Sequence, residues 1–317
     1  MVSISSLPFA KPVHHWRCAL IHAPISHALR PEGFAGDAIT LLPDTGPDHF
    51  LADPFGLEEG GKIHVMAENY DYRTDRGVID ALTYDTASWK LLERVRVLDK
   101  PWHLSYPALY RWQGGIYMLP EAWKSGRLSL YRARSFPHDW VLEPAFRFDH
   151  PAIDPTLLEL GGRWWMFWTP PTPKPARQSE LRLSWAEGLM GPWHHEGTLL
   201  VDRSGARPGG TAWVGQSVSG SPVVHLPVQN CTQSYGGGMA ILTLGGLLEG
   251  RPHVLGRHDV PIPPSLADEW GDGFHTIAAV TDSSGAAKTL VDVRCDIRSP
   301  RTAFLKKWGK LKRRFQR

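Results

Sequence analysis

The sequence predicts an all-β protein, a five-bladed β-propeller closed by its N-terminal strands and followed by a short C-terminal basic helix. Three observations carry this prediction: a strand pattern that returns roughly every fifty residues, two spare strands before the first repeat, and an incomplete last repeat. Short alternating strands at regular spacing, separated by Gly and Pro turns, are typical of radially repeated four-stranded blades.

Each repeat shows the same strands in the same order. A turn leads into a first apolar strand, as in His49-Phe-Leu-Ala-Asp-Pro-Phe55, and a Gly-containing turn precedes the second, as in Gly115-Ile-Tyr-Met-Leu-Pro-Glu121. A third strand follows, and in the first three copies a Trp then opens another extended stretch. The repeats predict four blades, at residues 48–100, 101–149, 150–203 and 204–262.

The fifth blade is predicted to be divided between the two ends of the chain. Residues 270–297 supply only part of a blade, whereas residues 14–44 contain strands that belong to no repeat. Because a closed ring leaves no open sheet edge, we expect the residues before about 45 to pair with the segment 273–295. The prediction is therefore a single domain over residues 1–300 and a basic tail over 301–317.

The composition agrees with one large β domain. Hydrophobic residues make up 42% of the chain, including 14 Trp, which is enough to fill a sizeable core. The three Cys have no metal-ligand spacing, and the first residues lack the features of a signal peptide. No apolar run is long enough to span a bilayer, and no Gly-rich nucleotide motif occurs. We expect a cytoplasmic protein without a bound cofactor or metal.

Acidic residues recur where the blades meet the central channel. Asp53 and Asp154 occupy the same position in blades one and three, each before a Pro, and Tyr106 takes this position in blade two. Asp-Pro is also a common turn, but its recurrence before an apolar strand favours a functional role. Glu68 and Glu121 end the second strand of blades one and two, and a carboxylate after an apolar strand is costly unless it is paired or used.

We expect these carboxylates and several other side chains to converge on one mouth of the channel. The catalytic candidates are Asp53, Glu121 and Asp154. The candidates for substrate binding are Glu68, Trp102, His103, Tyr106, Trp168, Arg207, Gln229 and His275. Aromatic rings suit the stacking of sugars, although Trp is also a common filler between blades, so Trp168 fits either role equally.

Seven short motifs, in this order, resemble a known family. They are Ala52-Asp-Pro-Phe55, His103-Leu-Ser-Tyr-Pro107, Met118-Leu-Pro-Glu121, Arg127-Leu-Ser-Leu-Tyr-Arg-Ala133, Gly191-Pro-Trp193, Ala206-Arg-Pro-Gly-Gly210 and the stretch 229–236. The run from about 48 to 245 resembles the N-terminal propeller domain of the plant glucosamine inositol phosphorylceramide transferases and bacterial relatives. More distantly it is similar to family 43 glycoside hydrolases. The resemblance implies a five-bladed fold and a carbohydrate-related role.

The likeness to family 43 glycosidases is incomplete at the residues that would do chemistry. That family carries a base Asp in blade one, a second Asp in blade three and an acid Glu in blade four. Asp53 and Asp154 match the first two, but blade four offers only Arg207 and Gln229, which cannot donate a proton as a carboxylic acid does. Glu121 or Glu68 would have to replace the missing acid, which weakens the case for hydrolysis.

The last residues form a basic amphipathic segment. Phe304, Trp308, Leu311 and Phe315 fall on one face of a helix, and residues 301–317 contain no acidic residue. This pattern is typical of an interfacial anchor for an anionic membrane surface. The alternative is a frayed, solvated tail, which Gly309 favours. Nucleic-acid binding is not expected, because the positive charge is confined to one end of the chain.

Three functions are compatible with these features. The favoured one is a glycosyltransferase that builds a lipid-linked or cell-envelope glycan at the cytoplasmic membrane surface, with a nucleotide sugar as candidate donor. Glu121 or Asp53 would be the general base, and Arg207 and His103 would neutralise a phosphate leaving group. The alternatives are a glycoside hydrolase that uses paired carboxylates and a glycan-binding propeller without catalysis.

Overall fold

A computed structural model describes residues 12–281 and 287–315 and confirms the five-bladed β-propeller. The first two strands belong to the closing blade: β1 (Val13–Ile21) and β2 (Ile39–Leu41). Blade one contains β3 (His49–Glu59), β4 (Lys62–Asp71), β5 (Arg76–Asp85) and β6 (Leu91–Leu98). Blade two contains β7 (Ser105–Trp112), β8 (Gly115–Glu121), β9 (Tyr131–Ser135) and β10 (Asp139–Leu142).

The remaining blades follow the same plan. Blade three contains β11 (Ile153–Leu160), β12 (Arg163–Thr169), β13 (Glu180–Ala186) and β14 (His194–Val201). Blade four contains β15 (Arg207–Pro208), β16 (Trp213–Gln216), β17 (Pro222–Asn230), β18 (Gly238–Gly245) and β19 (His253–Val260). The closing blade is completed by β20 (Gly273–Thr281) and β21 (Ala287–Ile297). Two α-helices accompany the described strands, α1 (Pro264–Trp270) and α2 (Pro300–Phe315).

The closing blade is built from both ends of the chain. Its strand order is β2-β1-β21-β20, and β1 runs antiparallel to β21 from the pair Val13↔Ile297 to the pair Ile21↔Thr289. The innermost strand β20 contacts β3 of blade one on one side and β17 of blade four on the other. The N-terminal strands thus lie on the outside of this blade, and the C-terminal strands lie next to the channel.

The same β-bulge interrupts the inner strand of the first three blades, at the residues that precede the recurrent Pro. Register shifts occur around Asp53, Tyr106 and Asp154, and these residues have φ values of 50°, 48° and 47°. A left-handed backbone at a residue other than Gly is strained, and bulges commonly redirect a side chain. The repeat seen in the sequence therefore encodes a repeated kink, which turns these side chains toward neighbouring blades.

Large apolar side chains fill the spaces between blades. One cluster between blades two and three includes Trp164, Trp168, Phe148 and Trp193. Burial of this kind is the main stabilising contribution, at roughly 25 cal/mol per Å² of apolar surface. Most of the Trp residues in the described chain thus serve as filler between sheets.

Helix α2 packs against blade one rather than lying free. Thr302 and Gly309 are buried, and Leu305 packs against the cluster that contains Tyr72. A Cβ atom at Gly309 would lie 2.7 Å from the carbonyl oxygen of Arg73, so only glycine permits this close approach. The glycine that suggested a frayed tail is thus the contact point of an ordered helix. No helix among the described residues is both long and apolar enough to cross a bilayer.

Candidate functional site

A cavity of about 250 Å³ opens at one end of the propeller. It is lined by residues of β1, of blades one and two, of the loop after β17, of β20 and of α2. These residues are His14, Trp16, Phe50, Glu68, Tyr70, His103, Ser105, Glu121, Tyr235, His275 and Lys306. Aromatic walls combined with a few convergent polar groups are the usual lining of a small-molecule site.

A larger, open groove of about 810 Å³ runs along the other edge of α2. Four of its charged side chains form ion pairs within the groove, Arg73 with Asp71 and Arg76 with Asp99, while the ammonium groups of Lys100 and Lys312 lie over aromatic rings. Neither carboxyl group of the groove is buried. The smaller cavity, with its buried carboxyl groups, is the better candidate site.

Glu68 and Glu121 occupy equivalent places in the cavity wall, at or near the ends of β4 and β8. Each lies opposite the residue before a bulge, since Glu68 pairs with Ala52 and Glu121 with Ser105. Burial raises the pKa of Glu68 well above its ordinary value, and the charge of Asp53 raises it further. Burial also raises the pKa of Glu121 to about 7. Both carboxyl groups therefore keep their protons to a higher pH than an exposed Glu does, and Glu121 is poised to exchange its proton near neutrality.

The two carboxyl groups also differ in their hydrogen bonds. The backbone N–H of Trp123 donates to Oε1 of Glu121 at 3.0 Å, and the Ser105 hydroxyl donates to Oε2 at 3.3 Å. Oε1 of Glu68, in contrast, is buried without a hydrogen-bond partner among the described residues. A buried oxygen without a partner costs free energy, so a ligand that supplies a donor here would be bound favourably.

His103 faces Glu68 in a defined protonation state. The backbone N–H of Gly77 donates to Nδ1 of His103 at 2.9 Å, which leaves the ring proton on Nε2. Burial lowers the pKa of His103 to about 3, and nearby cations such as Lys124 lower it further, so the imidazole is neutral. Its Nε2 lies 3.6 Å from Oε1 of Glu68. His103 is therefore a hydrogen-bond donor at the cavity wall.

His275 is held between two carboxylates and an indole ring. Its Nδ1 lies 2.8 Å from Oδ1 of Asp292 and 3.7 Å from Oδ1 of Asp53, and its ring stacks on Trp16 at 3.6 Å between centroids. Burial alone would lower the pKa of His275, but the charges of Asp292 and Asp53 raise it above its ordinary value. The two carboxylates thus favour the protonated form of His275, whose charge is paired with theirs in the cavity wall.

Asp53, His275 and Asp292 also form a cluster whose ligand atoms lie within 4.8 Å of one another. These atoms are already engaged, because Asp292 accepts from the backbone N–H of Asp53 and Asp53 accepts from Thr276 and from the backbone of Tyr106. A cation would have to displace these hydrogen bonds. The cluster is best described as an imidazole clamped between carboxylates.

Asp154 and Arg207 form a buried ion pair that does not line the cavity. The Nε of Arg207 lies 2.6 Å from Oδ2 of Asp154, and Gln229 donates to the same oxygen at 2.8 Å. The Arg207 guanidinium also lies over the ring of Tyr235, at 4.8 Å. The negative charge of Asp154 raises the pKa of both Asp53 and Glu121. The ion pair thus influences the cavity electrostatically although it does not line it.

The structure therefore brings the residues predicted from the sequence into one region but gives them different positions. Glu68, Glu121, His103 and His275 line the cavity. Asp53, Asp154, Arg207 and Gln229 are buried next to it. Tyr106 is fully buried and hydrogen-bonds through its hydroxyl to Gly210.

Two predicted aromatic residues lie away from the cavity. Trp168 is buried among the aromatic residues between blades two and three, and its Nε1 donates to Ser184. Trp102 packs against the apolar cluster shared by blades one and two. Neither ring contributes to the cavity lining, because the spaces between blades take up large apolar rings.

Several residues of the site were not identified from the sequence. Asp292 did carry a signal, since it interrupts the apolar run Leu290-Val-Asp-Val293. Trp16 lies on β1, whose place beside β21 depends on ring closure. Lys306 reaches the cavity only because α2 packs back onto blade one. No local sequence motif predicts that contact.

Solved structures of low sequence identity share this fold. An exo-beta-1,3-galactanase from Clostridium thermocellum superposes with a TM-score of 0.52 at 13% identity, covering 68% of this chain and 51% of that chain. An alpha-L-arabinofuranosidase from Podospora anserina gives a TM-score of 0.51 at 9% identity, covering 81% of this chain and 95% of that chain. At these identities the likeness concerns the fold alone.

Sequence comparison gives the family. Glucosamine inositolphosphorylceramide transferase 1 of Oryza sativa subsp. indica is 35% identical over 197 residues, and that of Arabidopsis thaliana is 32% identical over 197 residues. The match covers 60% of this chain and 25% of each plant protein, so the chain spans about a quarter of those relatives. The family described as "Glucosamine inositolphosphorylceramide transferase 1, N-terminal" matches residues 39–250. The chain belongs to this family.

Proposed function

We propose that this chain is a carbohydrate-active domain that takes part in glycosyl transfer to a lipid-linked or cell-envelope glycan at the cytoplasmic membrane surface. The observation that carries the proposal is Glu121, a buried carboxyl group on the cavity wall whose pKa is raised to about 7. The plant relatives are named glucosamine inositolphosphorylceramide transferase 1, and this name supports a transfer reaction.

In this proposal Glu121 is the general base. A catalytic pKa near the working pH combines a useful ionised fraction with a sufficient tendency to take up a proton. As the acceptor oxygen attacks the anomeric carbon, its proton passes to Glu121, and the bond from that carbon to the phosphate oxygen breaks. The phosphate leaves with its negative charge. His275 and Lys306 line the same cavity, and the ammonium group of Lys306 supplies positive charge to offset it.

Glu68 and His103 would bind the sugar rather than move protons. The raised pKa of Glu68 favours its protonated form, which donates one hydrogen bond and accepts another at its unpaired Oε1, and His103 donates from Nε2. The rings of Trp16 and Tyr70 provide flat apolar surfaces of the kind that pack against sugar rings. The cavity thus offers both the polar and the apolar contacts that one sugar unit needs.

Asp53 and Arg207 have supporting roles in this proposal. Both oxygens of Asp53 already accept hydrogen bonds, from Thr276 and Tyr106, and Arg207 is bound to Asp154. None of these bonds involves the cavity. Glu121 is therefore preferred to Asp53 as the base, and Lys306 replaces Arg207 as the cation that meets a phosphate.

Hydrolysis is the second candidate function, and one observation favours it. Two carboxyl groups with separate pKa values, Glu68 and Glu121, line one cavity, which is the arrangement that glycosidases use as acid and base. Water would then take the place of the acceptor hydroxyl.

The test compares the wild type with Glu121→Gln, using nucleotide sugars with a lipid-linked acceptor and, separately, free oligosaccharides. The substitution keeps the shape and removes the ionisable group, so turnover should fall by about 10²–10⁴-fold. Glu159→Gln, at an exposed position on β11, is the matched control and should leave turnover unchanged.

The outcomes separate the candidate functions. Transfer that depends on Glu121 supports the proposal. Cleavage of free oligosaccharides without a donor would favour the hydrolase, and sugar binding detected by NMR without turnover in any variant would leave a glycan-binding domain. Undiminished transfer by Glu121→Gln would overturn the assignment of the base.

A further inference from the structure

Helix α2 has one face that contacts the propeller. Thr302, Leu305, Lys306 and Gly309 lie on this face, at the spacing of successive helical turns. The Lys306 ammonium lies 5.9 Å from the centre of the Tyr70 ring, at the cavity wall. These residues of the docked face hold the helix against blade one.

The opposite face of α2 is apolar and exposed. Phe304 is 64% exposed, Trp308 47% and Leu311 45%, and the rings of the first two are stacked. A helix on the surface of a globular protein normally turns charged or polar residues outward. Here the docked face combines Leu305 with a Lys and a Thr, whereas the outward face holds two aromatic rings and a Leu.

Basic residues border this outward face on both sides. On the helical wheel Lys307 and Lys310 lie along one edge, and Arg301 and Lys312 lie along the other; all four are exposed, and Arg301 also forms an ion pair with Asp48 at 2.9 Å. Residues 301–317 contain no acidic residue, while the whole chain has a net charge of only +3. The positive charge is thus concentrated around the apolar stripe.

We propose that the outward face of α2 binds an anionic lipid bilayer and thereby holds the cavity at the level of the lipid headgroups. Aromatic rings and Leu suit the boundary between headgroups and acyl chains, and Lys and Arg pair with anionic headgroups. A second copy of this chain fits less well, because two such faces would bring like charges together. The bilayer is the occupant that matches both the apolar stripe and its basic borders.

The position of α2 gives this docking a consequence for the site. Lys306 lines the cavity from one face of the helix, while Trp308 points away from the propeller two residues later. A bound bilayer would therefore lie one helix diameter, about 10 Å, from the cavity. The link to a lipid-linked substrate rests on the proposed function, but binding to lipid does not.

The test is cosedimentation of the full chain with phosphatidylcholine vesicles, with and without phosphatidylglycerol. We expect binding only when phosphatidylglycerol is present and release at about 1 M salt, where the screening length is about 3 Å. The double variant Phe304→Ser/Trp308→Ser keeps Lys306 and should bind roughly tenfold less tightly or worse. Circular dichroism should show an unchanged fold, since both side chains are exposed.

The matched control is Leu92→Ser/Leu255→Ser. These side chains are 49% and 53% exposed on β6 and β19, so the change removes exposed apolar surface elsewhere. This control should bind vesicles as the wild type does. Equal binding by the α2 variant and the wild type, or no binding by the wild type, would overturn the proposal. Self-association lost in the α2 variant, without vesicle binding, would overturn it in favour of a second copy.

This result is independent of the catalytic test. A chain that binds vesicles but shows no turnover retains the membrane proposal and loses the catalytic one. A chain that turns over soluble substrates but does not bind vesicles retains the catalytic proposal and loses the membrane proposal.

Discussion

The carboxyl group of Glu121 should make the stability of the protein depend on pH. Folding raises the pKa of Glu121 from 4.5 to about 7 because the group is buried. One pKa unit corresponds to 1.36 kcal/mol, so ionising the group in the folded state costs about 3 kcal/mol. Below the unfolded pKa both states are protonated and nothing is lost. As the pH rises from about 4.5 to about 7, mainly the unfolded state loses its proton and is stabilised by ionisation, so the stability of the folded protein falls; above about 7 both states are ionised and the loss is complete.

Glu121→Gln removes this dependence, since an amide does not titrate. The free energy of unfolding of the variant, relative to the wild type, should therefore increase by about 2–3 kcal/mol between about pH 5 and about pH 8.5. Urea unfolding of both proteins at the two pH values measures this difference, and other titrating groups largely cancel in it. Most of this relative gain in stability should be complete by about pH 7, with little further change at higher pH.

A second variant shows whether burial is the cause. Glu159→Gln changes the same chemical group at an exposed position, and its stability relative to the wild type should be the same at both pH values. If the free energy of unfolding of Glu121→Gln relative to the wild type is also the same at both pH values, the reasoning is refuted. It would mean that Glu121 is not desolvated as the structure indicates, and the argument for a general base would fail with it.

Two further changes test the surroundings of the cavity. Arg207→Met should lower the free energy of unfolding in urea by about 3–5 kcal/mol, because Asp154 is left buried without its cation. Adding Asp154→Asn should recover part of this loss. A small effect of Arg207→Met alone would contradict the buried ion pair. Gly309→Ala should detach α2, because its Cβ would lie 2.7 Å from the carbonyl oxygen of Arg73. Amide hydrogen exchange should then be faster in α2 and unchanged in the blades, whereas protection of α2 as in the wild type would count against the contact.

The architecture was predictable because it is repeated in the sequence. Strands of alternating character, Gly turns and the recurrent residue before Pro at Asp53, Tyr106 and Asp154 mark equivalent positions in three blades. A repeat places equivalent residues at equivalent radii, so the convergence of Asp53 and Asp154 followed from topology alone. The topology did not predict that these two side chains lie behind the cavity wall, because their position depends on the direction in which each bulge turns the side chain.

The cavity itself was only partly predictable. Glu68, Glu121, His103 and His275 stood out as polar residues at strand ends or on an inner strand. The pairing of Arg207 with Asp154 joins residues of different blades, and sequence spacing carries no information about it. Lys306 depends on the docking of a helix after the last strand, a contact decided by shape at Gly309 rather than by pattern.

The division of the closing blade between the two chain ends affects the order in which the candidate site forms during folding. Trp16 is contributed by the first described strand and His275 by the last blade, yet their rings stack at 3.6 Å. During synthesis β1 can pair early with β2, but its other edge stays open until β21 follows more than 260 residues later, and long-range pairings of this kind form slowly. The cavity, which needs both β1 and β20, is therefore assembled last. A chain shortened before β20 would lose the candidate site even where each of its remaining blades could fold.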